Sequence, residues 1–253
     1  MIQPVRSLRR SATTLATAAL NFVYPPACLF CGRDVESARP GFCETCLATL
    51  KPAISNECPH CGAPVGPYTD VTKGCGQCRR ESYAFDLVIR LGIYDGDMRL
   101  ACLRAKATSG SGIARALADV LVDQKIVEFG EAEFDFVIPV PEHWSRRLLH
   151  PYYAAETISR QIARRLDIRW SRSILCKTRR TPKQATSPTP QRRQQQQGSF
   201  AVGNRKHVAG KTFLLVDDIL TTGSTATAAA QSLKKAGAKR VVVAVIAVSP
   251  LKQ

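Results

Sequence analysis

The sequence predicts an α/β protein: a mostly parallel sheet covered by helices on both faces, preceded by a small cysteine-rich segment organised by metal. Three observations carry this reading. From about residue 85, short Val/Ile/Leu runs alternate with longer stretches spaced as helices. Eight of the ten cysteines lie between residues 28 and 78, as four C-x-x-C pairs. One apolar run ends in two acids and a hydroxyl-rich turn, Val216-Asp217-Asp218-Ile219-Leu220-Thr221-Thr222-Gly223-Ser224-Thr225.

The 253 residues allow one large domain or two modest ones, and 45 % hydrophobic content excludes a wholly disordered chain. No stretch approaches about 18 uninterrupted apolar residues, which excludes a spanning helix. Residues 1–27 read as an N-terminal helix with Leu15, Ala18, Ala19, Phe22 and Val23 on its packing face. Arg6, Arg9 and Arg10 precede a weakly apolar stretch broken by Thr14, Thr17 and Asn21, with no convincing cleavage site after it. A signal peptide is therefore the weaker reading, and the cytoplasm is the expected compartment.

Residues 28–84 read as a double zinc ribbon. The pairs are Cys28–Cys31, Cys43–Cys46, Cys58–Cys61 and Cys75–Cys78, separated by 11, 11 and 13 residues. Two intervening residues let both sulfurs of a knuckle face one ion, and two knuckles complete a tetrahedral shell. Gly32 and Gly62 follow their pairs, where a tight knuckle favours positive φ, and Pro59 stiffens the third knuckle. One C-x-x-C would equally suit a redox dithiol, but four within about fifty residues point to zinc. So little apolar residue lies between them that metal must supply the missing stability. Two consecutive four-cysteine sites are the expected arrangement, with a cross-braced pairing of the first and third knuckles as the alternative. His60 lies between two ligands as a substitute donor or, more simply, a knuckle residue facing solvent. With every ligand a cysteine, both zinc sites are structural.

Residues 85–253 carry the α/β pattern. Strands are expected over 86–94, 135–140, 173–176, 212–216 and 240–248, and helices over 97–107, 112–129, 151–166 and 223–236. Residues 181–198, with three prolines and a run of Gln, read as a long loop of the kind that usually serves function. Cys102 and Cys176 are expected to be buried structural thiols.

Charge is as uneven as cysteine. The chain holds 36 Lys+Arg against 20 Asp+Glu, a net +16, and residues 139–206 contribute +12 of it. A zinc held by four thiolates is itself −2, so two sites would lower the total to about +12.

The chemistry concentrates at residues 214–225. Backbone N–H groups opening a helix are unpaired and carry the positive dipole end, so they suit phosphate. Gly223 allows close approach, while Thr221, Thr222, Ser224 and Thr225 offer hydroxyls. Asp217 and Asp218 are placed to accept from sugar hydroxyls or to help hold Mg²⁺. A plain capped βα turn explains one hydroxyl residue but not two acids followed by four hydroxyls around a glycine. No G-x-x-x-x-G-K-[ST] is present, so this is not a Walker A loop.

The run VDDILTTGST resembles the phosphoribosyl-pyrophosphate (PRPP) signature of type I phosphoribosyltransferases. Preceded by paired C-x-x-C knuckles, the chain is similar to the ComF family (competence protein F, GntX-like), with a double zinc ribbon and a phosphoribosyltransferase-like domain. Supporting likenesses include Tyr24-Pro25-Pro26-Ala27-Cys28, Tyr94-Asp95-Gly96-Asp97 leading to Lys106, and Val137-Ile138-Pro139-Val140-Pro141. They also include Thr181-Pro182-Lys183-Gln184, Arg192 and Gly198-Ser199-Phe200. The resemblance implies ribose hydroxyls on Asp217 and Asp218 and the 5′-phosphate on Thr221, Thr222, Gly223, Ser224 and Thr225. It implies a pyrophosphate loop at Pro141, Glu142, His143 and Trp144, followed by Arg146 and Arg147, with Lys106 near the site. Two departures bear on the acceptor: Leu149-His150-Pro151-Tyr152-Tyr153 replaces an Arg-Gly-Phe-Asn-Gln-type segment, and Gln195 stands where Asn is expected.

The resemblance implies PRPP and Mg²⁺ as ligands and a role in DNA uptake during natural transformation, alongside competence-machinery proteins. Three functions are open on the sequence. A transferase would pass ribose to an unknown acceptor; a DNA-handling protein would place single-stranded DNA on the basic segment; a sensor would bind PRPP without turnover. Trp144, Tyr152, Tyr153 and Trp170, set among arginines, read equally as base-stacking or core residues.

Overall fold

The computed structural model describes residues 26–35, 41–51, 56–143, 145, 152–179 and 198–249. The expected N-terminal helix, Trp144, Arg146, Arg147, Arg192 and nearly all of the 181–198 loop lie outside the described residues. The chain divides into two compact units, Met1–Ala48 and Thr49–Gln253.

In the first unit a knuckle closes on itself: the Cys28 N–H donates to the Arg33 carbonyl and the Gly32 N–H to the Cys28 carbonyl. Helix α1, Glu44–Leu50, starts directly after Cys43 and carries Cys46 in its first turns. Cys28, Val35 and Cys46 form a small core, with Phe30 and Phe42 packed against it.

The second unit contains a second knuckle of the same design and the sheet. Its elements are β1 (Leu87–Ile93), α2 (Gly96–Lys106), α3 (Ser111–Gln124), α4 (Ile126–Gly130), β2 (Phe136–Pro139), α5 (Ala154–Leu166), β3 (Leu175–Lys177), β4 (Phe200–Val202), β5 (Thr212–Leu220), α6 (Ser224–Lys235) and β6 (Arg240–Val248). The order is β1-β6-β5-β2 and every pairing within it is parallel. Strand β6 is almost entirely Val, Ile and Ala and buried from Val241 onward, as a central parallel strand must be.

Side-chain alternation splits the sheet's faces. Ala226, Ala229, Ala230 and Leu233 of α6 pack with Phe213, Leu215, Val241, Val243 and Val245. The small alanines let this helix lie close to the strands. Helices α2 and α3 contact β1 and β6, and α5 contacts β2 and β5. Among the described residues no helix is long and apolar enough to cross a membrane.

Several elements depart from expectation. Strand β5 continues past Val216 to Leu220 because β6 keeps pairing with it, Asp217 opposite Val245 and Ile219 opposite Ala247. Both acids are therefore strand residues. The expected helix over 112–129 breaks at Lys125, whose ammonium is held 2.6 Å from Glu57 and 3.0 Å from Glu128. Strand β3 finds an antiparallel partner, β4, from beyond the long loop. Cys176 is exposed rather than buried, because a two-residue alternation on this short ribbon turns Leu175 inward and Cys176 outward. Cys102 is buried on α2, as expected.

Candidate functional site

The eight N-terminal cysteines gather as two sequential tetrads, Cys28/Cys31/Cys43/Cys46 and Cys58/Cys61/Cys75/Cys78, not as a cross-brace. Sulfur separations test the fit to metal. Zinc with Zn–S near ~2.3 Å implies tetrahedron edges near ~3.8 Å, whereas a disulfide needs ~2.05 Å. Cys31–Cys43 is 3.7 Å, Cys58–Cys78 3.7 Å, Cys61–Cys75 3.6 Å and Cys75–Cys78 3.8 Å. The donor sets fit tetrahedral zinc. Gly32 and Gly62 adopt φ +77° and +71°, the conformation that closes each knuckle. The two tetrads differ in exposure: the second is buried throughout, while Cys31 in the first is exposed. His60 is half-buried and stands outside the second tetrad.

The second tetrad is bound to the sheet by residues the sequence reading missed. Arg90 of β1 is 1 % exposed. Its Nε donates to the Gly62 carbonyl and lies 3.2 Å from Glu57 Oε2. Among the described residues its two terminal nitrogens have no hydrogen-bond partner. Burial pulls the pKa of this guanidinium down, and the charges of Glu57 and then of Cys61 oppose that, so a negatively charged metallated tetrad would add to what holds the cation here. An arginine within an otherwise apolar strand, DLVIRLGIY, was the available signal. The Val88 N–H also donates to the Pro59 carbonyl, and a Cβ on Gly62 would come within 2.9 Å of Val248 and 3.1 Å of Val88. No larger residue fits between knuckle and sheet.

The second cluster forms at the carboxyl ends of β2 and β5, where open parallel sheets hold their ligands. The Val140 N–H pairs with the Val216 carbonyl, so the turn containing Pro141, Glu142 and His143 leaves the sheet beside Asp217. These three residues are half-buried. His143 Nδ1 lies 2.8 Å from Ser145 Oγ and 3.3 Å from the Ser145 backbone nitrogen. Strand β5 then delivers Asp217, Asp218 and the turn Thr221–Thr225. Gly223 takes φ +72° and stands at the N-terminus of α6 with no side chain to cap it; the Ser224 N–H donates to Thr222 Oγ1 at 3.4 Å, and the positive dipole end of the helix suits an anion. Thr222 Oγ1 lies 2.8 Å from Ser224 Oγ.

Lys106, the last residue of α2, reaches this cluster: its Nζ is 3.2 Å from Asp218 Oδ2. Burial pulls its pKa down, but the charges of Asp218 and Asp217 outweigh that and raise it. Asp217 is half-buried. Loss of water, then the neighbouring Asp218 charge, push its carboxyl up to about 8, opposed by the Asp218 N–H and by Lys106. Sequence composition alone reads Lys106 as an ordinary helix-face residue; the structure brings it to the acids.

The aromatics of the basic segment divide. Tyr152 donates its hydroxyl to the Ala105 carbonyl at 2.7 Å, beside Lys106. With Tyr153, Arg115, Arg160, Arg164 and the acid Glu156, which pairs with Arg160 at 3.2 Å, it lines a cleft of about 240 Å³. Trp170 donates its indole N–H to Ser159, and the Arg160 guanidinium covers its ring at 4.2 Å. Asp119 is occupied by Arg165 and Gln161, away from the acids of β5.

Two family models agree with this architecture. The phosphoribosyl transferase domain model matches residues 150–252, and the double zinc ribbon domain model matches residues 19–79. Competence protein F of Haemophilus influenzae is 28 % identical over 224 residues, covering 85 % of this chain and 94 % of that protein. DNA utilization protein YhgH of Salmonella typhi is 27 % identical over 223 residues, covering 87 % of this chain and 95 % of that protein. Among solved structures, a glutamine phosphoribosylpyrophosphate amidotransferase from B. subtilis has 21 % identity and a TM-score of 0.36, covering 54 % of this chain and 27 % of that one. Fold and cysteine pattern together define a phosphoribosyltransferase-type α/β protein with a double zinc ribbon. Over most of its length the chain is similar to competence protein F and to YhgH.

Proposed function

We propose that this protein binds PRPP with Mg²⁺ at the carboxyl end of β5. The observation that carries the reading is the continuous unit of Asp217, Asp218 and the Thr221–Thr225 turn, with Lys106 paired to the second acid. In this reading the two carboxylates receive the ribose 2′ and 3′ hydroxyls. The first-turn amides of α6, with the hydroxyls of Thr221, Thr222, Ser224 and Thr225, hold the 5′-phosphate. Pyrophosphate and its Mg²⁺ lie toward Lys106 and the turn at Pro141, Glu142 and His143. Arg146, Arg147 and Arg192, outside the described residues, complete the expected cation set. The chemistry available is phosphoribosyl transfer: the bond from ribose C1 to pyrophosphate breaks, pyrophosphate leaves with the electron pair, and an acceptor nitrogen bonds C1, aided by positioning and charge stabilisation.

The names of the relatives, competence protein F and DNA utilization protein, support a role in DNA uptake with competence-machinery partners. Zinc-bound rather than disulfide-paired cysteines fit a reducing compartment, the cytoplasm. The cleft lined by Arg115, Arg160, Arg164 and two tyrosines favours a second reading, single-stranded DNA bound next to the PRPP site.

Calorimetry with PRPP–Mg²⁺, followed by pyrophosphate release with a panel of bases and single-stranded DNA, tests these readings together. Binding lost in Asp217→Asn/Asp218→Asn supports the site, and release with one acceptor identifies a transferase. Binding without release identifies a sensor. No PRPP binding, with salt-sensitive DNA binding intact, leaves the DNA-handling reading alone.

A further inference from the structure

One aromatic ring stands between the second cysteine tetrad and the phosphate turn. Tyr83 leaves the tetrad segment just before β1 and packs against the buried cluster of Cys58, Cys61, Ala63, Cys75 and Cys78. It also packs against the sheet core, stacking on Phe85 with centroids 4.7 Å apart and planes at 16°. Its far edge lies over Gly223. A Cβ built on that glycine would fall 2.7 Å from Tyr83 Cε1, 3.3 Å from Cδ1 and 3.5 Å from Cζ.

We propose that Tyr83 is a positioning residue for the PRPP turn: its ring, braced on the second tetrad and on Phe85, forms the wall that holds Gly223 in its phosphate-receiving conformation. The inference rests on the PRPP reading and deepens it.

Backbone freedom is what the ring controls. Gly223 is required because φ is +72° and because no Cβ fits beneath the ring. The same glycine permits many other conformations, and in most of them the amides that open α6 no longer converge. A turn that must be ordered at binding loses affinity to the entropy of ordering. A flat, stiff ring with two torsions, already fixed by stacking, restricts the glycine before ligand arrives. The ring packs where a Cβ of Gly223 would project, so its action runs through the glycine. Because the brace on its other side is the tetrad, metal loading of Cys58, Cys61, Cys75 and Cys78 and the order of the turn are mechanically linked.

The test is PRPP–Mg²⁺ calorimetry on the zinc-loaded full chain, paired with hydrogen exchange of the 221–225 amides in the absence of ligand. Tyr83→Phe keeps the ring and is expected to bind within about twofold of wild type. Tyr83→Ala is expected to bind about tenfold more weakly, with faster exchange confined to the turn and undiminished zinc content. Equal affinity and equal exchange in Tyr83→Ala overturn the proposal, as does equal weakening in Tyr83→Phe, which would assign the effect to the hydroxyl. Gly223→Ala/Tyr83→Ala guards against a merely destabilised variant. If ring and glycine touch as described, removing the ring relieves part of the melting-temperature loss of Gly223→Ala, and strictly additive losses contradict the contact. Wild type that fails to bind PRPP sinks the site assignment and this proposal with it; wild type that binds while Tyr83→Ala is unaffected sinks the proposal alone.

Discussion

Lys106 at the end of α2 and Asp218 on β5 meet at 3.2 Å, an ion pair that joins the first helix of the sheet domain to the acids near the end of β5. Lys106 is about two-fifths exposed and Asp218 about one-sixth, so the pair reaches solvent and is not sealed in the core. Exposed pairs of this kind contribute little to stability. In the proposed site the pair would keep a cation beside carboxylates that receive the ribose hydroxyls of a polyanionic ligand. Lys106→Met is therefore expected to change the melting temperature by little and to weaken PRPP–Mg²⁺ binding about tenfold, read by calorimetry. Unchanged affinity would return Lys106 to an ordinary helix face.

Asp217 gives the site a pH signature. An unfolded aspartate titrates near ~3.9, whereas Asp217 in the fold is pushed up to about 8. The folded state thus holds its proton more tightly than the unfolded state. The stability linked to that proton is complete below about pH 4 and drains away as pH rises through about 8. Asp217→Asn carries no charge and keeps an acceptor for the Asp218 N–H. Its melting temperature should exceed that of wild type by a few degrees at pH 8 without ligand, and the two should converge near pH 4. A variant less stable than wild type at pH 8 would contradict the assignment.

The sequence made the cysteine tetrads and the acid–hydroxyl turn legible because each is local: ligand spacing and a strand–turn–helix run fit within a few tens of residues. What it hid is long-range. Tyr83 over Gly223 and Arg90 against Gly62 join segments whose proximity depends on parallel pairing, which no local period encodes. Arg90 left a trace as a charge inside an apolar strand, and such a charge demands a buried counterpart. Tyr83 left none, since an aromatic before a strand is ordinary. Cys176 was misread for a related reason: on a three-residue strand, burial is set by a partner, β4, that lies beyond the long loop.

Arg90→Met tests the link between tetrad and sheet. The substitution keeps the apolar stem, removes the bond to the Gly62 carbonyl and leaves Glu57 with Lys125 alone. Glu57 is partly in water and keeps that second cation, so the cost falls below that of a fully buried pair, at about 2 kcal/mol by denaturant unfolding. Zinc held by the second tetrad should also exchange faster, because the uncompensated thiolate charge weakens the site. Loss of stability with unchanged zinc exchange would confine Arg90 to packing.

The tetrads themselves should part company under a chelator. Cys31 is exposed and Cys43 only half-buried, so water and a competing ligand reach the first site. All four sulfurs of the second are buried, and a Cβ on Gly74 would press to 2.9 Å of Cys78 Sγ, which shows how closely backbone wraps it. Zinc exchange requires an incoming donor to reach metal or a ligand to leave, and both are obstructed in a sealed tetrad. Release followed with a chromophoric chelator should therefore resolve into two phases of equal amplitude, one zinc fast and one slow. Cys31→Ser should abolish the fast phase while the slow one stays. PRPP–Mg²⁺ should slow the second phase further and leave the first untouched, since ligand ordering the Gly223 turn presses Tyr83 back onto the second tetrad. A single phase releasing both metals together would show that the two sites open as one unit and would overturn the asymmetry.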